Sequence, residues 1–251
     1  LLSDTELTYA DLTKPNNILG YHYVENIKKY NTNIKPITIQ RIQAGYHEKI
    51  DNGKTIASAT GIRQEIQEKH SLQSVTSFLP KSSLQTLTEW HEDFKHFASW
   101  ELFWPYLRFS ILRLSPEQIA LYAEVTEGIE FSIIQAAKEC NDFNSFMHKV
   151  KSKRYTWTRI QRMLTHIFTN FTWQQLHSSN KPSYIRLLGM SKNGQHYLSE
   201  RKKLFTLPVI SRVASSSDSM LLQDIHATDL YMLALGKNKM GMDYKIPPIR
   251  Y

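Results

Sequence analysis

Three stretches of this 251-residue chain carry residue types that could do chemistry. The first is Ile56-Ala57-Ser58-Ala59-Thr60-Gly61-Ile62-Arg63. Small hydroxylated residues where a loop enters a helix expose backbone N–H groups at the positive end of the helix dipole, which suits a phosphate. Arg63, one turn in, can fork onto phosphate oxygens. Ser58, Thr60 and Arg63 together would stabilise a triphosphate and a leaving pyrophosphate. From spacing alone the same residues more readily describe a capped helix with an exposed Arg. The second stretch is Thr38-Ile39-Gln40-Arg41-Ile42, a β-branched run ending in a cation. Ligands of open α/β sheets bind at the carboxyl ends of strands, so Arg41 stands where a nucleotide would be, or else pairs with Glu48 or Asp51. The third runs from Lys149 to Arg162, with six basic residues, two aromatics and no acid. Lys151, Lys153, Arg154, Arg159 and Arg162 could hold phosphates while Tyr155 or Trp157 stacks an unpaired base. The competing reading puts Trp157 in the core and leaves the cations solvated.

Other chemistries find no support. His91 and His96 are five residues apart and His47 stands alone, so no metal-type pair exists, and no metal is expected. No Ser-His-Asp arrangement, Walker loop or Gly-rich fingerprint is present, and no catalytic side chain is assigned. Cys140 is the single cysteine, which excludes a disulfide framework and fits a reducing, cytoplasmic location. No apolar run nears the roughly 20 residues that span a bilayer.

The elements that must position these residues divide into two kinds. In residues 1–75 the pattern is helix, strand, loop, helix. Pro15 opens a helix with Ile18, Leu19, Tyr23, Val24 and Ile27 on one face, and Asn31-Thr32-Asn33 ends it. Residues 34–39 read as a strand, Asp51-Asn52-Gly53 as a turn, and Ser58 or Thr60 as the N-cap of a second helix. One strand makes no sheet, so partner strands are expected outside this chain or in another copy. Beyond residue 80 helical spacing dominates: segments 83–97, 100–113, 116–125, 127–140, 143–150 and 156–171 are all expected to be helices. Thr156 or Thr158 caps the last, with Ile160, Met163, Leu164, Ile167, Phe168 and Phe171 as its apolar stripe. Tyr184–Leu188 fits a short strand or helix, and Lys192-Asn193-Gly194 a turn.

Charge follows the same division. The chain carries a formal net charge of +8, yet residues 149–212 hold thirteen Lys and Arg against one acid, Glu200, while residues 76–148 hold five against ten. Such a window repels itself unless an anion compensates. A polyanion such as nucleic acid is one candidate, and contact with the acidic neighbouring segment is the other.

Pro15-Asn16-Asn17-Ile18-Leu19-Gly20, Ile37–Ile42 with Ala44-Gly45-Tyr46-His47, and Ile56–Arg63 resemble the bacterial tRNA(Met) cytidine acetate ligase family. Glu127-Gly128-Ile129-Glu130, Lys153–Arg162 and Arg186-Leu187-Leu188-Gly189 continue the resemblance in the same order. It covers nearly the whole chain, and the ordered set is more specific than any one motif. It implies a mainly α protein, with the C-terminal remainder of a Rossmann-like nucleotidyltransferase α/β domain at 1–75 and an α-helical tRNA-binding domain at 76–251. It implies an enzyme that activates acetate with ATP to acetyl-adenylate and then acetylates N4 of the wobble cytidine in elongator tRNA(Met), with a magnesium ion left open. By this resemblance Asn16, Arg41, Ile42, Ser58, Thr60 and Arg63 contact ATP, and Lys151, Lys153, Arg154, Tyr155, Trp157, Arg159 and Arg162 face tRNA. The family's His-x-Gly-His motif is absent, and Phe131-Ser132 stands where more polar residues belong. The expectation is therefore the C-terminal two-thirds of the enzyme, inactive alone. Two further readings stay open: a nucleotidyltransferase acting on a small molecule, and a non-enzymatic RNA-binding helical module.

Overall fold

The computed structural model describes Leu12 and residues 15–39, 56–178, 181–237 and 239–251. The chain divides into two compact units, Leu1–Leu84 and Gln85–Tyr251, a division nine residues later than the expected 75/76. In the first unit α1 (Pro15–Lys29) begins at Pro15 and gives way to Asn31, whose φ of 46° breaks the helical path. The segment expected as a strand, 34–39, forms no regular element and pairs with no strand among the described residues, and Ile37 and Ile39 are almost fully exposed. A strand needs a neighbour for its N–H and C=O groups, and no described strand lies beside it. Arg41 and Ile42, with the Asp51-Asn52-Gly53 turn, lie outside the described residues. α2 (Ala59–Lys69) is capped by Ser58 as expected, and a 3₁₀ turn at Gln73–Phe78 follows.

The second unit takes over within α3 (Lys81–Phe94) and continues through α4 (Trp100–Leu112), α5 (Pro116–Ile119), α6 (Ile129–Glu139), α7 (Phe143–Val150), α8 (Trp157–Phe168) and α9 (Trp173–Ser178). The apolar stripes of α4, α6, α7 and α8 meet in one core, where Leu107, Ile111, Ile133, Phe146, Ile160 and Met163 are completely buried. Burying such side chains is the main stabilising term. Polar groups lock the same helices together. The Trp104 indole donates to the Asn141 carbonyl at 2.8 Å, and Arg108 Nε to the Ala137 carbonyl at 2.8 Å. Glu101 accepts from the N–H groups of Phe143 and Asn144, joining Asp142 in satisfying the open end of α7.

Two expectations fail here for local reasons. The helix foreseen at 116–125 stops at Ile119, because Tyr122 pairs with Thr172 in an antiparallel bridge and Glu124 adopts φ 65°. The Lys192-Asn193-Gly194 turn is instead the first turn of α10 (Lys192–Arg201), since the Ser191 hydroxyl accepts from the Gly194 N–H and starts the helix.

The C-terminal part is built on two short parallel pairs. β1 (Ile185–Arg186) pairs with β3 (Val209–Ile210), and β2 (Gly189–Met190) with β4 (Ile249–Arg250). Gly189 lets the β2 and β4 backbones approach closely, since a Cβ there would sit 3.2 Å from the Ile249 carbonyl oxygen. α11 (Ser219–Ala234), capped by Asp218, and α12 (Met242–Lys245) complete the unit. Two smaller cores serve these elements, one around Ile210, Leu221 and Ile225 and one around Phe94, Met232 and Leu235.

Candidate nucleotide and nucleic-acid surfaces

In the first unit the Ser58 side chain is only 3% exposed, and its hydroxyl accepts from the Gly61 N–H at 3.0 Å. Its oxygen is thus engaged in the cap of α2. Thr60 and Arg63 are exposed one and two positions either side of Gly61, and Arg63 has no ion-pair partner among the described residues. Asn16 lies apart from that helix end in the sequence, on the first turn of α1. It is exposed and lines an apolar cleft of about 830 Å³ with Tyr23, Val24, Ile27 and Ile37.

In the second unit the run from Lys151 to Arg162 breaks into three different environments. Lys151 and Lys153 are exposed without a carboxylate partner among the described residues. Arg154 pairs with Glu127 at 3.3 Å. Arg162 Nε donates to both Glu124 oxygens, at 2.9 and 3.2 Å. Arg159 lies half-buried 4.7 Å from the Tyr155 ring and donates to Thr126 Oγ1 at 3.1 Å. Lys149 pairs with Glu139. The acidic neighbour thus offsets part of the basic window, through a loop in which Glu124 and Glu127 both take positive φ.

The two aromatics both pack toward the main core. Tyr155 is 6% exposed, and its hydroxyl donates to the Thr126 carbonyl at 2.7 Å. Its ring belongs to the main core and offers no face to a base. Trp157 is half-buried against the same core, with His148 edge-on to it at 5.3 Å. Its indole N–H, like that of Trp100, faces the end of the Gln161 side-chain amide, at 3.2 and 3.0 Å respectively, so the amide oxygen is assigned to that side. Thr156 is the cap of α8, and its buried stripe is Ile160, Met163, Leu164 and Ile167; Phe171 falls beyond the helix end. His166, in the last turn of α8, is half-buried against Phe171, and burial holds its pKa below the ordinary value despite nearby Glu124.

Sequence reasoning missed a polar cluster in the C-terminal part. Arg186 pairs with Asp243 and, at 3.6 Å, with Asp224, which accepts from the Tyr184 hydroxyl at 2.9 Å. Burial, reinforced by Asp224, pushes Tyr184 up to about 12. The cluster ties β1 to α11 and α12. Its only sequence signal was Arg186 in the Arg186–Gly189 motif, which carried no role. Among the described residues no three His, Cys, Asp or Glu side chains are grouped to hold a metal ion, and no helix is long and apolar enough to cross a membrane.

Comparison with known proteins places this geometry. A family model described as HIGH Nucleotidyl Transferase matches residues 2–244. A Lysinibacillus sphaericus protein named tRNA(Met) cytidine acetate ligase is 56% identical over 246 residues, covering 96% of this chain and 61% of that protein. The Halalkalibacterium halodurans protein of the same name is 39% identical over 251 residues, covering 96% and 60%. Among solved structures, apo TmcAL of Thermotoga maritima matches with TM-score 0.82 and 25% identity over 95% of this chain and 61% of that one. TmcAL bound with alpha-thio ATP matches with TM-score 0.80 and 25% identity, over 96% and 61%. The chain therefore spans about three-fifths of the length of the relatives it matches. These matches do not support the expectation of a C-terminal fragment lacking its first nucleotide motif; they give a share of length alone. The nucleotidyltransferase-like fold is common to the chain and these neighbours, and the chain belongs to the HIGH nucleotidyl transferase family, among relatives named tRNA(Met) cytidine acetate ligase.

Proposed function

We propose that the protein acts as an ATP-dependent ligase that forms N4-acetylcytidine at the wobble position of elongator tRNA(Met). The observation that carries this reading is the 56% identity, across 96% of the chain, to a protein named for that activity. The ATP-analogue complex of a neighbour with the same fold supports the nucleotide half. In the reaction an acetate oxygen attacks the α-phosphorus of ATP, the bond to the β-phosphate oxygen breaks, and pyrophosphate leaves. The cytidine N4 then attacks the acetyl carbonyl, AMP leaves, and the amine loses a proton. The described N–H groups of Ala59 and Thr60, the exposed Arg63, and Asn16 and Arg41 are assigned to ATP, where charge builds on the leaving phosphates. Residues 1–75 serve the nucleotidyltransferase part, and 76–251 the tRNA, with Lys151 and Lys153 as its free cations in the 149–162 run and Arg154, Arg159 and Arg162 made available by exchange of their present partners.

The test supplies purified protein with ATP, radiolabelled acetate and elongator tRNA(Met). The expected result is labelled N4-acetylcytidine in nuclease digests, one AMP released per acetyl group. Pyrophosphate exchange without labelled RNA would favour the small-molecule nucleotidyltransferase, and tRNA binding without nucleotide binding would favour the non-enzymatic module.

A further inference from the structure

A second basic site lies away from the 149–162 run. At the end of α10 the chain folds back through β3 and β4, and these segments enclose a cleft of about 740 Å³. That volume falls in the usual range for small-ligand sites. Its lining is largely apolar, with Leu187, Leu198, Phe205 and Ile249 among others. Lys202, Arg212 and Arg250 also line it, and no acid does. These three cations come from three different elements, so their convergence is a property of the fold and not of a charged run. All three are exposed, and among the described residues none has an ion-pair partner. Arg154 and Arg162, by contrast, are already paired with glutamates. Arg201 and Leu204 adjoin the same edge through Phe205. Gln195 and Ser211 add amide and hydroxyl groups to the lining.

We propose that this cleft binds one unpaired nucleotide of an RNA strand, with its base on Phe205 and the flanking phosphates on Lys202, Arg212 and Arg250. The chemistry selects this occupant. A largely apolar lining with a half-buried aromatic suits the face of a base, and the surrounding cations match phosphates on either side. Gln195 and Ser211 can both donate and accept, which suits a base edge. A duplex cannot present an unstacked base, so the cleft discriminates single-stranded from paired RNA. The inference rests on the RNA-modifying function proposed above and adds a contact surface separate from α8.

The test measures fluorescence anisotropy of the 251-residue chain with a fluorescein-labelled single-stranded RNA, the same strand in a blunt duplex, and a sugar–phosphate strand without bases. The single strand is expected to bind about tenfold more tightly than the duplex. Lys202→Gln with Arg212→Gln, at exposed positions, should weaken binding and lower the salt slope by about two. Phe205→Leu should weaken binding of the single strand by about tenfold with the slope unchanged, and should leave the baseless strand unaffected. Thermal melting checks each fold; if Phe205→Leu melts early, exposed Ser211→Leu, which narrows the cleft, must give the same selective loss. Equal affinity and slope for the double Gln variant and the parent would overturn the cleft while leaving the proposed function standing. A parent chain that binds no RNA at any salt would overturn both.

Discussion

Arg162 Nε donates to both carboxylate oxygens of Glu124, so a loop 38 residues earlier in the chain neutralises the most basic helix from outside. The pair is largely solvent-exposed, and such pairs contribute about 0–1 kcal/mol to stability. Its consequence is electrostatic: any phosphate that takes Arg162 must displace Glu124. Glu124→Gln should therefore leave urea stability within about 1 kcal/mol of the parent and tighten tRNA binding, because no carboxylate has to be displaced from Arg162. Unchanged affinity would show that Arg162 does not meet the RNA.

The position of Tyr155 leads to a stability effect where the sequence suggested a binding one. Removing its hydroxyl in Tyr155→Phe leaves the Thr126 carbonyl without that donor, at a cost of about 1–2 kcal/mol in urea unfolding. Trp157→Ala should cost about 3 kcal/mol through lost packing. A stable Trp157→Ala protein with weakened RNA binding would return that ring to a base-stacking role.

Most helices of the second unit were legible in the sequence because apolar period and caps agreed, as with Thr156 and the Ile160–Ile167 stripe of α8. The capped start of α2 was legible for the same reason. What escaped is long-range. Nothing local in Tyr155 says that its hydroxyl reaches Thr126, 29 residues away, and nothing in Lys202, Arg212 and Arg250 says that they converge. The charge asymmetry offered an RNA partner or an acidic neighbour as alternatives. The structure shows the acidic contacts for Arg154 and Arg162 and leaves Lys151 and Lys153 open. In the first unit the expected strand had the right composition, but a strand is defined by its neighbour, and none is among the described residues.

Arg186 should be a structural anchor. It bridges Asp243 and Asp224 while only about a fifth of its side chain is exposed, and Asp243 is more deeply buried than that. Arg186→Gln leaves Asp243 charged and unpaired, and should cost on the order of 3 kcal/mol in chemical denaturation. Arg186→Lys should recover only part of the loss, because an ammonium cannot fork between two carboxylates. A full recovery would mean that charge alone, without the fork, holds β1 to α11 and α12.

His166 sets a pH dependence. Burial keeps its folded pKa below the ordinary 6.5, so the unfolded chain takes up the proton first as pH falls. Its contribution is fully present above pH 6.5 and is lost as pH drops towards the folded value. In His166→Gln the stability profile should be flatter than the parent's below that point. A parallel acid slope in both proteins would assign the loss to other groups.

The central claim is that the basic surface of residues 149–212 meets tRNA through phosphates, and the salt dependence of binding tests it most directly. Filter binding of elongator tRNA(Met) to the 251-residue chain should give log affinity falling linearly with log salt, each phosphate contact contributing about 0.9 to the slope. Replacing Lys151 and Lys153, the two free cations of the 149–162 run, with Gln should reduce that slope by about two. Affinity indifferent to salt, or a slope untouched by the double replacement, would contradict the account.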